Sequence, residues 1–280
     1  IRPGIWGGLR ALGRGARQAL SKQLLNAVLG LLPVVRPGEN LLRQLELLAD
    51  GSTVVLAPGR HRWSGRLHGR RMRIFGAAGA RVQGRAQLAE GSCGSLYDIE
   101  FNSTDGGSVR AQSATWVLDG CVLECSDPDA SALTAASSKV VLRSCHIRGP
   151  LNTLVDKSCW IGLFAKGNSK VSATDCQIGP CVRRGVVAID EASLLLAGCL
   201  VEGCEEIGLR LACRARVAAD GLAMRDGGVA LHVGAGCAGS LEMSNSLIES
   251  FAALWNGDAR PLVLDMRTAE VRDLSGASLE

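Results

Sequence analysis

Aromatic side chains are scarce in this chain of 280 residues, which holds five Trp, four Phe and one Tyr. That leaves little for a sugar-stacking platform or for a groove that holds single-stranded nucleic acid by base stacking. No run approaches the ~18 consecutive apolar residues of a membrane span, so no transmembrane segment is expected. From Gly51 onward the long 3.6-period runs of a helical solenoid are missing. Acidic residues are missing altogether from Gly51 to Ala89. No phosphate loop or dinucleotide fingerprint occurs. The four His (His61, His68, His146, His232) are scattered, and none forms a nucleophile arrangement with a Ser or Cys.

What the chain does have is a recurring phrase. It reads apolar-x-apolar-x-x-Cys-x-Ile/Val, then a short polar stretch, then Gly followed by an aliphatic. Val140-x-Leu142-x-x-Cys145-x-Ile147 leads to Gly162-Leu163, and Val171-x-Ala173-x-x-Cys176-x-Ile178 leads to Gly185-Val186. Leu194-x-Leu196-x-x-Cys199-x-Val201 leads to Gly208-Leu209, and a weaker copy runs from Ala215 through Val217 and Asp220 to Gly228-Val229. With the Cys position as anchor, equivalents fall at Ile99, Cys121, Cys145, Cys176, Cys199, Asp220, Ser246 and Arg267. A drifting period of about 22 residues marks a stacked-repeat architecture.

The alternation inside each phrase is a strand pattern, and turn-favouring Gly, Asp, Ser and Asn separate the strands. One repeat accommodates three short strands and three turns, one full coil of a parallel β-helix. Like residues on successive coils then stack about 4.8 Å apart. The phrase resembles the right-handed parallel β-helix repeat of the pectin-lyase-like superfamily, over residues 51 to 275. The opening is similar too: Leu41-Leu42-x-x-Leu45 on a short helix, Asp50-Gly51, the strand Thr53 to Leu56, and the Pro58-Gly59 turn. The predicted fold is all-β: a parallel β-helix of about ten coils over 51–280, preceded by a helical capping segment over 1–50.

Eleven cysteines is an odd number, and most occupy inward positions of the repeat. Cys181 and Cys204 suggest a second ladder. Zinc spacing is hinted by Cys121-x3-Cys125 and Cys176-x4-Cys181, but neither has a second pair or a His at ligand distance. Reduced, packed thiols are therefore expected, with no metal and no cofactor. With no secretory signal read at the start, an intracellular, cytoplasmic setting is expected. An organelle is the alternative if residues 1–33 derive from a targeting segment. Leu9, Leu12, Ala16, Leu20, Leu24, Ala27 and Leu31 recur at helical spacing opposite Arg10, Arg14 and Arg17. A cap on the open end of the solenoid, a transit-type segment and a membrane-surface helix all fit that pattern.

Net charge of +4 hides a division. Residues 1 to 89 carry 15 Lys+Arg against Glu39, Glu46 and Asp50, and the remainder is net acidic. Arg60, Arg62, Arg66, Arg70, Arg71 and Arg73 are the candidate surface for a polyanion or an acidic partner. Catalytic groups are less evident. The pectin-lyase-like resemblance implies carboxylates on an outer face, and three residues after each anchor stand Glu124, Arg148, Gly179, Glu202, Ala223, Glu249 and Glu270. Glu249 and Glu270 would be a stacked pair near 5 Å apart, the spacing of a retaining glycosidase. Ser103-Thr104-Asp105-Gly106 is similar to part of the polygalacturonase motif, whose other elements are missing. An insertion over Gly149 to Lys157 reads as a projecting loop. The expected function is a non-catalytic binding or scaffold module for a protein or polyanion, with no small-molecule ligand. Such repeats also occur in intracellular proteins that resemble the F-box β-helix substrate receptors, though no F-box-like segment is visible in this sequence. A carbohydrate-active lyase or hydrolase is the alternative.

Overall fold

Each copy of the phrase folds into one coil, built of three short strands as far as Ala188. The computed structural model describes residues 32–38, 40–150, 159–180, 182–256, 263–265 and 268–272. The expected helix over residues 9–31, Cys181 and most of the 149–157 insertion lie outside the described residues.

The first strands of successive coils form a parallel sheet of eleven members. In its central coils Thr115–Asp119, Lys139–Arg143, Lys170–Thr174, Ser193–Ala197 and Arg216–Asp220 lie side by side. Register is strict, so Val140, Val171, Leu194 and Val217 form one internal column and Leu142, Ala173, Leu196 and Ala219 another. The second face stacks Leu123, Ile147, Ile178, Val201 and Met224. The third stacks Leu133, Leu163, Val186, Leu209 and Leu231. All of these columns are buried, so period-2 alternation on three faces encloses one continuous core. The stack makes about nine turns, close to the ten expected.

Between the first and second strands a single left-handed residue turns the corner. Asp98, Gly120, Ser144, Asp175, Gly198, Gly221 and Asn245 occupy it, with φ between 49° and 65°. Gly, Asn and Asp enter this region at the least cost, which explains the small residue just before each anchor. The anchor then points inward. Cys121, Cys145, Cys176 and Cys199 are 2 % exposed or less. Their thiols lie near carbonyls of the preceding coil and turn: Cys145 Sγ is 3.4 Å from Leu118 O and 3.3 Å from Arg143 O. The neighbouring ladder thiols and burial push Cys145 and Cys176 up to about 12, so they are held as neutral S–H groups.

Two anchors need correction. Ala197 pairs with Asp220, which places Leu222, not Asp220, beside Cys199. Leu222 is buried, while the exposed Asp220 carboxylate accepts hydrogen bonds from Asn245 Nδ2 and Ser244 Oγ, both at 2.9 Å. Ala215, Val217 and Ala219 extend the apolar alternation, so the phrase fits at two registers two residues apart. The register that avoids burying a carboxylate prevails. Gly228 is displaced from its assumed column for the same reason, because Leu209 pairs with Leu231. Arg267 lies outside the described residues, and pairing of Leu247 with Glu270 makes Ala269 the anchor of that coil. The second cysteine ladder also fails: Cys204 pairs with Val182.

From Leu200 onward the second and third faces merge into single long strands, Leu200–Leu211, Ala223–Val233 and Leu247–Asn256. The glycines of the phrase explain the bend. Gly162, Gly185 and Gly208 stack at the inner corner, where a Cβ on Gly185 would lie 2.6 Å from Val201 Cγ1 and 2.7 Å from Gly208 O. At the amino-terminal end Asn40 caps the helix Leu41–Leu47, its Oδ1 accepting from Leu42 N at 3.1 Å. Leu41, Leu42 and Leu45 join Val54, Leu56 and Trp63 in the core. Val34–Val35 pairs with Val55 and Leu56, so stacking begins before residue 51.

Candidate functional site

The six arginines do not share one face. On the strand Gly59–Arg62, alternation turns His61 inward and Arg60 and Arg62 outward on the second face. Arg66 stands exposed on the third face, its Nε donating to Gln87 Oε1 at 3.0 Å. Arg71 and Arg73 point outward from Arg71–Gly76 on the first face. Arg70, in the turn before them, donates to the carbonyls of Leu48 and Glu46. Arg71 pairs with the Asp50 carboxylate at 2.9 Å. The Arg71 backbone N–H and guanidinium both donate to Asp50 and hold it below the usual carboxylate range. The expectation of a single surface is therefore corrected: with about 22 residues per coil, positions six to eleven apart fall on different faces. Arg70 and Arg71 fasten the start of the second coil to the loop after the helix. Arg60, Arg62, Arg66 and Arg73 have no carboxylate partner among the described residues, and they girdle the first coils.

The column expected to hold catalytic carboxylates is a ladder of matched charges. Glu124 lies between Asn102, whose Nδ2 donates at 2.9 Å, and Arg148 at 3.0 Å. Gln177 donates to Glu202, and Arg225 pairs with Glu249 at 2.8 Å. Glu249 faces Arg272 in the next coil, whereas Glu270 faces Leu247. Glu249 and Glu270 are thus not stacked, and Glu270 pairs with Arg272 at 2.6 Å. The paired-carboxylate geometry depended on Arg267 as an anchor. Like charges in register repel, and alternation of Glu with Arg removes that cost while pinning the coils in register. Asp105 belongs to a structural turn: Ser103 Oγ donates to its carbonyl at 3.0 Å, and the Arg85 guanidinium fills the space beside Gly106.

No family model matches this sequence, and no curated protein matches it either. Solved structures do match its fold. An alginate lyase from Paenibacillus sp. str. FPU-7 superposes with a TM-score of 0.57 at 12% identity, over 86% of this chain and 98% of that one. The pectate lyase Pel9A superposes with a TM-score of 0.50 at 10% identity, over 82% of this chain and 78% of that one. The fold is the right-handed parallel β-helix that these two structures share. At such identities the likeness concerns the fold alone.

One carboxylate pair in this β-helix sits against its own interest. Asp98, at a left-handed turn position, faces the next coil near Gly120, where a Cβ would lie 2.5 Å from its Oδ1. Burial and then the nearby Asp119 raise the Asp98 pKa, and burial raises that of Asp119. A carboxyl raised in the fold contributes stability below its unfolded value near 3.8, and that contribution is lost as pH rises through the folded value. Asp98→Asn keeps the left-handed preference and removes the charge. Asp98 is exposed, so solvent screens the effect: the variant is expected to be slightly more stable than wild type at pH 7, with the gain vanishing near pH 3. Urea titrations at both pH values check this, and a loss of stability at pH 7 would contradict it.

Sequence reading located the arginines but not their faces. The small residue before each anchor was the available signal, since it marks where the chain turns from the first face to the second. Among the described residues no helix is long and apolar enough to cross a membrane.

Proposed function

We propose that this β-helix is a non-catalytic binding module whose first coils recruit a polyanion or an acidic protein surface. The observation that carries the reading is the girdle of Arg60, Arg62, Arg66 and Arg73, outward on three faces and set in a stretch with no acidic residue. Fields of like sign add around the first coils, and a ligand that wraps an end of the solenoid meets all four. The matched ladder Glu124–Arg148 and Arg225–Glu249 supports the non-catalytic part. Its carboxylates are engaged by cations and would have to break those pairs to act as acid or base.

The test is binding of a mixed-sequence DNA duplex, phosphatidylserine vesicles and poly-glutamate as salt is raised. Affinity for the duplex should fall steeply, with each contacted phosphate adding ~0.9 to the log–log slope. The variant Arg60→Gln/Arg62→Gln/Arg66→Gln/Arg73→Gln should flatten that slope, while each exposed substitution shifts stability by only about 0.5 kcal/mol. Absence of binding to all three probes at low salt would overturn the reading. Incubation with alginate and polygalacturonate, with and without calcium, should give no cleavage. Cleavage that disappears in Glu249→Gln would establish the carbohydrate-active alternative instead.

A further inference from the structure

The outer corner between the second and third faces carries features unrelated to the arginine girdle. Ile161, Val187 and Ile207 are 3, 3 and 9% exposed, yet none belongs to the interior cluster. Val187 lies between Val186 and Ala188, both wholly interior, so alternation turns it outward. Phe164 and Arg210 are its ladder neighbours on either side. Val187 is thus an apolar side chain buried on the outside of the solenoid. Trp160 is 39% exposed, with the Arg184 guanidinium 5.8 Å from its ring centroid.

Charge at this corner is unbalanced. Glu206 engages Arg184 at 3.1 Å and lies 4.0 Å from Arg183. Arg210 has no carboxylate partner among the described residues and lies in register with His232 on the next coil. Arg210 Nε and His232 Nδ1 are both shielded from solvent and make no hydrogen bond. Burial first, then Arg184, lowers the Arg210 pKa, and burial with Arg210 and Arg184 lowers that of His232. Desolvated polar atoms without partners are costly, and an oxyanion accepting from Arg210 relieves that cost. Arg210 remains half-buried, so the end of its planar fork is within reach of a ligand.

We propose that this corner is an oxyanion-binding site for a carboxylate or phosphate carried on a small apolar body. The anion lies against Arg210 and His232, and the body rests on the partly exposed Phe164 ring, beside the buried Val187. Charge complementarity selects the oxyanion, because the Arg210 cation, without a carboxylate partner among the described residues, is flanked by His232 and lies on the same outer column as the partly exposed Phe164 ring. The site lies several coils from Arg60 to Arg73 and stands or falls independently of them.

The experiment follows the ring signals of His232 by NMR in the whole chain, with phenyl phosphate, benzoate, inorganic phosphate and acetate as probes. Saturable shifts are expected, together with a rise in the His232 pKa, because a bound anion favours the imidazolium. Phenyl phosphate should bind more tightly than inorganic phosphate, and the ratio of phenyl phosphate to benzoate identifies which oxyanion the site prefers. Arg210→Gln should weaken phenyl phosphate binding about ten-fold. Arg60→Gln/Arg62→Gln should leave it unchanged. Phe164→Leu should weaken phenyl phosphate but not inorganic phosphate, a result that does not depend on how well the Arg210 variant folds. Shifts that never saturate, or that are the same in wild type and folded Arg210→Gln, would overturn the proposal.

Discussion

Replacing Ile178 with Asp is expected to cost about 3–5 kcal/mol and to abolish cooperative unfolding at neutral pH. Ile178 is fully buried and stacks between Ile147 below and Val201 above. Its Cγ2 also lies 2.8 Å from where a Cβ on Gly162 would be, so the site has no slack to admit water. A carboxylate there has no cation within the column, and desolvation favours its neutral form. The introduced group therefore has a folded pKa above its unfolded value near ~3.9. Destabilisation is largest above that folded value and shrinks as pH falls through it towards about 3.9. Coils contact only their neighbours, so damage in the middle also uncouples the two ends of the stack. Urea denaturation followed by circular dichroism at pH 7 and pH 4 measures both effects. A midpoint equal to wild type at pH 7 would contradict the assignment of this column to the interior.

Gly185→Ala is expected to be nearly as damaging, at about 3 kcal/mol, although it adds one methyl group. The added Cβ would lie 2.6 Å from Val201 Cγ1, 2.7 Å from Gly208 O and 2.8 Å from Cys204 Sγ. The carbonyl is fixed in the parallel ladder and cannot retreat without breaking it. Relief requires the strand Val182–Ala188 to move away from Leu200–Leu211, at the position where pairing already shifts register between Val182 and Arg184. By contrast Gly38→Ala adds a Cβ with nothing within 4 Å, although its φ of +94° carries strain of its own. A Gly185 variant that melts within a degree of wild type would show that the corner is looser than these distances state.

Much of this fold was legible because inward residues repeat. The anchor cysteines, the Ile147, Ile178 and Val201 column and the Leu41 to Leu45 helix follow from alternation and from apolar spacing alone. Register failed where the code is degenerate: a strand with apolar residues at Ala215, Val217 and Ala219 satisfies the phrase in two positions. Only the cost of burying Asp220 separates them. The slip at Asp220 hid the match of Arg225 with Glu249, and a separate slip of two residues, Arg267 in place of Ala269, carried Glu249 and Glu270 into a false pair. Outward residues repeat no rule, so the faces of Arg60, Arg66 and Arg73 and the meeting of Arg210 with His232 could not be read before the coils were laid on one another. The glycine of the phrase was visible, but its role as the inner corner of two merging faces depends on three successive strands.

The most direct test of the whole arrangement is the accessibility of the cysteines, since the anchor column defines every coil. Native protein at pH 8 is alkylated briefly with iodoacetamide and each thiol is quantified by peptide mass spectrometry. Cys213, which is exposed, should be modified rapidly. Cys121, Cys145, Cys176 and Cys199 are buried, and the raised pKa values of the last three keep them as unreactive thiols, so modification should await denaturant. If any of these four reacts in the native protein at the rate of Cys213, the inward ladder is wrong, and with it the register from which every face in this account is assigned.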